Sequence, residues 1–389
     1  MKPLLIASLS FALLTGNAFS QSAWFWQNPE PQGNYLRTFT GSPDGIIYTA
    51  GNNASMLRSF DGGAVWFSYR LSGATSNFRS VFFIDNVSGW AVGELGMVFK
   101  TSDGGATWGL QPSFTGHSLN SVHFRNESTG IIAASAFTIF RTTNKGRDWS
   151  VYSNASGNSL QSIFLVPPST YYICGSAGLI IRSTDEGQSW TTLPGTPQRT
   201  LYDIHFINDN TGIAVGAEGT IVRSTNGGNL WSPVQSGVSA SLRGTDFFNA
   251  SEGIISGDSG RILRTTDSGL TWSNINSERQ FILRDVICHS ETSALICGEG
   301  GTILKTANKG LSWNEVSDGT RETLLSISFA SVNTGIAVSS GGSVMRTTNK
   351  GVSWQNTGVL PGVSLNSAGF FDTERGIIAG GGGKICLTT

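Results

Sequence analysis

A tryptophan returns at a near-constant interval through most of this chain. Trp66, Trp108, Trp149, Trp190, Trp231, Trp272, Trp313 and Trp354 follow one another with six equal intervals after a first that is one position longer. Each follows the same turn, Ser/Thr-x-Asp/Asn-x-Gly-x-x-Trp, as in Ser59-Phe60-Asp61-Gly62-Gly63 and Thr101-Ser102-Asp103-Gly104-Gly105. A fixed period of roughly 41 residues marks a repeat architecture, in which each unit buries its faces only against its neighbours. The length of 389 residues would otherwise suggest two or three independent domains.

One period reads as four strands. Residues 119–124 form the first, a polar turn follows at 126–130, Gly212 to Gly216 represents the second, and residues 220–223 represent the third. The Asp/Asn turn then leads into a fourth strand at the Trp. Four strands within one such period is the pattern of a propeller blade. Strand-two/three pairs occur nine times, whereas complete turns number eight, and the chain stops where a ninth would begin. Trp26-Gln27-Asn28 resembles Trp354-Gln355-Asn356, and positions 21–389 divide evenly into nine units of the repeat. The expectation is an all-β fold: a β-propeller of nine repeats with four-stranded antiparallel blades, closed by an N-terminal strand that joins the last blade. An eight-bladed ring with a spare unit and an open arc are the alternatives; an arc would expose strand edges to aggregation.

Positions 1–20 read as a signal peptide. Lys2 precedes an apolar stretch over 4–14, too short to span a bilayer, and Ala18-Phe19-Ser20 is a small-x-small cleavage site before Gln21. The expectation is export to a periplasmic, lumenal or extracellular space, with residues 21–389 as one propeller domain. Charge is balanced, at 25 basic against 26 acidic residues, which gives no electrostatic footprint for nucleic acid. No other stretch is long and apolar enough to suggest membrane insertion.

The recurring acids invite a catalytic or metal reading, and the repeat argues against both. Asp61, Asp103, Asp185 and Asp267 alternate with Asn144, Asn226, Asn308 and Asn349 at the same position. Asn carries no charge and is no general acid or base. The two residues share a short side chain that accepts backbone N–H bonds in tight turns. These eight positions are therefore read as structural, with the eight tryptophans packing the outer strand. Cys288 and Cys297 fall on adjacent strands and read either as a cross-strand disulfide or as two buried thiols. No CxxC or His pair has metal spacing, so no cofactor or metal is expected.

One column pair stands out. Arg79, Arg243 and Arg284 begin the first strand of their units, and Glu94, Asp258 and Glu299 stand fifteen positions later. Units without the Arg also lack the acid; Arg37, which faces Asn52, is the exception. Three intrablade ion pairs are predicted on the face away from the Asp/Asn turns. They read either as structural pairs or as a candidate binding rim, since loops on a rigid scaffold commonly carry function.

The turns resemble the Asp-box (BNR) repeats of sialidases, sortilin-type receptors and the photosystem II stability/assembly factor family, the last most closely. The similarity to that family rests on units such as Gly89-Trp90-Ala91-Val92-Gly93 followed by residues 96–108, and covers nearly all of residues 24–389. It implies an exported propeller that holds a partner protein during assembly. Members usually have seven blades, and the count of nine departs from that. The expected function is a non-catalytic scaffold for a partner protein of the cell envelope or extracellular space. The alternative is a glycan-binding propeller or a sialidase-like glycoside hydrolase. Glu94, Glu218, Asp258 and Glu299 are the candidate carboxylates for hydrolysis, and Phe114, Tyr152 and Phe281 the candidate sugar-stacking aromatics. No Tyr–Glu arrangement of the sialidase kind stands out.

Overall fold

The computed structural model describes residues 34–112, 115–276, 280–316, 324–331, 333–348, 354–360, 362–370 and 375–388. All strands lie in nine antiparallel sheets, one per repeat. Blade one comprises β1 (Leu36–Gly41), β2 (Ile47–Gly51), β3 (Ser55–Ser59) and β4 (Phe67–Arg70), paired in sequence order. Eight sheets have four strands; the ninth has three among the described residues. Second strands such as Gly89–Gly93 and Gly212–Gly216 are buried along their whole length. They lie between two neighbouring sheets, so both faces are covered and small or β-branched residues fill them.

The all-β reading, the nine repeats and the blade topology hold. The closure differs from the expected single ring of nine. First strands of consecutive blades pack on one another from β1 onward to Leu283–Cys288 of blade seven, which packs back against β1. Leu295, Cys297 and Ile303 of blade seven form one buried cluster with Leu36, Phe39, Ile47, Leu57 and Trp66 of blade one. The ring thus contains seven blades, and blades eight and nine pack on each other through Leu324–Phe329 and Leu365–Phe370. The Trp26–Asn28 segment expected to complete the last blade lies outside the described residues.

A repeated hydrogen bond shows how the closure is made. Ser80 Oγ accepts from Val122 N–H (3.3 Å), Ser121 Oγ from Ile163 N–H (3.3 Å) and Asp203 Oδ2 from Thr245 N–H (2.9 Å), each reaching the next blade. By period, Asp285 of blade seven should reach Ile327 of blade eight. It accepts instead from Phe39 N–H of blade one at 2.7 Å. Counting repeats could not reveal this, because blade interfaces are nearly interchangeable by period.

Among the described residues, the box turns share one wiring. Ser59 Oγ donates to Asp61 Oδ1 (2.8 Å) and accepts from Gly63 N–H (2.8 Å), while Asp61 Oδ1 accepts from Val65 N–H (2.9 Å). Thr306, Asn308, Gly310 and Ser312 repeat it with Asn in place of Asp. The amide oxygen does what the carboxylate does, so the alternation is neutral to the fold. The hydroxyl two positions earlier is the hub, a role the sequence reading had not assigned. Gly63 sits at φ 81° and Gly146 at φ 79°, the left-handed region where Cβ is costly. Asn349 lies outside the described residues.

Aromatic ladders tie the blades together. Phe124 of blade three stacks on Trp90 of blade two (3.5 Å, 11°) and meets Trp149 of its own blade edge-on (6.1 Å, 81°). Phe83 repeats this between Tyr48 and Trp108, and Phe206 between Tyr172 and Trp231. Trp66, Trp231 and Trp354 are buried; Trp108, Trp149, Trp190, Trp272 and Trp313 are half-buried. The Phe ring also dictates a glycine: a Cβ at Gly130 would lie 2.5 Å from the Phe124 ring. Gly130→Ala should therefore destabilise by about 1–3 kcal/mol through overpacking, measured by denaturant unfolding.

The cysteines are free thiols, Cys297 buried and Cys288 half-buried. Cys288 opposes Ala294 and Cys297 opposes Asp285, so the two are out of register for a disulfide.

Candidate functional site

On the face away from the boxes, the second strands of seven blades pass into a one-turn 3₁₀ segment, such as Glu94–Gly96, Asp258–Gly260 and Glu299–Gly301, and those of blades three and eight into a turn. The acids of the sequence-predicted rim open these turns, and the arginines start the first strands beside them. Arg79 Nη2 donates to Glu94 Oε1 at 2.8 Å. Arg243 makes a two-pronged pair with Asp258, at 2.8 and 2.6 Å, and lies over the Tyr202 ring at 4.2 Å.

The third expected pair, Arg284–Glu299, does not form. Glu299 accepts instead from the hydroxyl of Tyr35, which ring closure brings over from blade one, and its other oxygen accepts from Ile282 N–H. Among the described residues, no carboxylate lies within ion-pair distance of Arg284, and its Nε is buried without a hydrogen-bond partner. Among the described residues, Arg37 has a neutral hydrogen-bond partner, donating to Asn52 Oδ1 at 2.6 Å.

Closure after seven blades also decides which arginines are neighbours. In the linear order, Arg37 and Arg79 stand in blades one and two, far from Arg243 and Arg284 in blades six and seven. In the ring these four blades are consecutive. Desolvation, then the charges of Arg79 and Arg284, lower the pKa of Arg37; desolvation, then Arg243, lower that of Arg284. The result is an arc of four guanidiniums against three carboxylates, with the two acid-free cations side by side at its centre. The repeat pattern points to Arg79, Arg243 and Arg284 and leaves Arg37 out. The missing signal was ring order, which the linear repeat conceals.

The first strands of three of the ring's blades also carry half-buried carboxylates that accept from the backbone of the next blade. Asp203, Asp246 and Asp285 stand in blades five, six and seven. Burial, then the nearby Asp203 charge, pushes Asp285 up to about 8, and burial pushes Asp246 up to about 6. His123 and His205 are held neutral by burial, each down to about 4, with His205 Nδ1 3.4 Å from Asp246. Among the described residues, no three His, Cys, Asp or Glu side chains converge as metal ligands.

The Asp285 pKa carries a pH dependence. Its folded value lies above the unfolded 3.8, so the stability tied to its protonated form is full below about 4 and is lost as pH rises through about 8. The groups facing it are the Phe39 and Val286 N–H donors and the Asp203 and Asp246 carboxylates. Asp285→Asn should flatten the fall in melting temperature between about pH 4 and 8. Equal slopes in the two proteins would refute this assignment.

The other sequence candidates do not assemble into one site. Glu218 is exposed and pairs with Arg199 at 2.9 Å. Tyr152 lies on the outer strand of blade three, Phe281 precedes the first strand of blade seven, and Phe114 lies outside the described residues. A basic column the sequence reading did not use runs through the third strands. Arg141, Arg223 and Arg264 each donate through Nε to a box carbonyl of the next blade (2.7–2.9 Å). Its spacing, a multiple of the repeat, was visible in the sequence.

The sequence profile described as Photosynthesis system II assembly factor YCF48 matches residues 21–163 and 196–389. The chain belongs to that family. A solved structure of YCF48 bound to a D1 peptide shares 20% identity at a TM-score of 0.62, covering 72% of this chain and 93% of that one. The GH74 xyloglucanase of Xanthomonas campestris shares 12% identity at a TM-score of 0.61, covering 92% of this chain and 73% of that one. The GH74 enzyme of Niastella koreensis is similar, at 13% and 0.60. At these identities the likeness is one of fold. A search of curated proteins finds no match. Among the described residues of this YCF48-family chain, no helix is long and apolar enough to cross a membrane.

Proposed function

We propose that this YCF48-family propeller is an exported scaffold that binds an acidic segment of a partner protein at the arginine arc. The observation that carries the reading is the pair Arg37 and Arg284: adjacent, partly desolvated, and without a carboxylate partner among the described residues. A buried cation left without an anion is costly, and an incoming carboxylate offsets that cost with charge-assisted hydrogen bonds. Arg79 and Arg243, already paired, hold the arc's flanks. Family membership and the relative bound to a D1 peptide support a protein client. The signal-peptide pattern over positions 1–20 supports export, with the client in the same compartment.

The test is affinity capture from the producing cell's envelope extract with tagged residues 21–389, comparing wild type with Arg37→Ala/Arg284→Ala. The expected result is specific recovery of a client by wild type, weakened at least ~10-fold in the variant and weakened by added salt. Equal recovery by a folded variant would refute the arc as the binding site. Arg79→Ala should leave Glu94 with only its neutral donors, Ser76 Oγ and Asn77 Nδ2, and reduce binding less, by about 1 kcal/mol.

A further inference from the structure

Blades eight and nine present two apolar faces that have no counterpart in the ring. In blade seven, Leu283 and Val286 face blade six and are 0% and 5% exposed; the equivalent Leu324 and Ile327 of blade eight are 38% and 57% exposed, with Phe329 at 44%. At the other end of the pair, Ile303 of blade seven is fully buried against blade one, whereas its equivalent in blade nine, Ile385, is 66% exposed. Among the described residues, blade eight therefore has an open leading face and blade nine an open trailing face.

These two surfaces are complementary by construction. Every blade interface in the ring joins a trailing face to a leading face through these same columns, and blades eight and nine join each other in the same way. Blade seven's trailing face is filled by blade one, so it is not open to blade eight. The two open faces lie on opposite sides of one two-blade stack and cannot meet within a molecule. We propose that the trailing face of blade nine in one copy stacks on the leading face of blade eight in another, so that the chain associates head to tail. Such a contact is heterologous: each molecule keeps one free face of each kind, and assemblies grow with concentration until a ring closes.

Sedimentation velocity of residues 21–389 over a wide concentration range tests this. Wild type should form concentration-dependent oligomers larger than a dimer. Ile327→Asp spoils the leading face and Ile385→Asp the trailing face, and each alone should weaken association at least ~10-fold. Mixing the two variants leaves one good face on each, so they should form a heterodimer and nothing larger. Both positions are exposed, and an unchanged near-ultraviolet circular dichroism spectrum and melting temperature would show that the variants fold. A wild type that stays monomeric throughout overturns the proposal. So does association unaffected by either substitution, or a mixture that fails to pair.

Discussion

A chain ending at Val316 should fold into a closed ring and melt within a few degrees of the full-length protein. None of the buried clusters that hold blades one to seven contains a residue beyond Val316 among the described residues. Ending the chain one blade earlier should have the opposite result. It removes Leu295, Cys297 and Ile303 and strips the cover from Leu36, Phe39, Ile47 and Trp66. At about 1.5–3 kcal/mol for each large apolar side chain returned to water, the loss is on the order of 10 kcal/mol, comparable to the whole stability of an ordinary domain. Calorimetry of the two truncations decides between seven blades and nine. If the ring had nine, ending the chain at Val316 would also open it, and both would be unfolded.

The second large effect is expected at Phe124. Its ring is fully buried, stacked on Trp90 across the blade interface and capped edge-on by Trp149. Phe124→Ala should cost about 3–5 kcal/mol, with a further contribution from two lost aromatic pairs. Phe329→Ala is the internal control. Phe329 holds the same position in blade eight and also meets Trp354 edge-on (6.0 Å, 78°), yet it is 44% exposed. Its loss should cost less than half as much, and should leave the ring's own transition in place. Equal costs at the two sites would mean that blade eight is packed as the ring blades are. Denaturant unfolding of the two variants measures both.

The local chemistry of this protein was legible without coordinates. Ser/Thr, Asp/Asn, Gly and Trp at fixed offsets specify a turn whose bonds reach no further than four positions along the chain, so the period carried the complete blade. The same locality made Arg79–Glu94 and Arg243–Asp258 readable, because each pair stands across one hairpin. Where a contact joined distant parts of the chain, period alone failed. Arg284 lost its expected partner Glu299 to Tyr35, a residue 264 positions away.

Sequence by itself determined the all-β class, the nine four-stranded units and the chemistry of each turn, since these follow from interactions inside one repeat. Only the tertiary structure decided the number of blades in the ring, the neighbours of Arg37 and the two open faces of blades eight and nine. The reason is physical: every repeat carries nearly the same leading and trailing face, so sequence describes an interface that any two blades could form. Which two form it is settled by how the first strands meet around the ring, where Phe39 of blade one takes the place on Asp285 that the period assigns to Ile327.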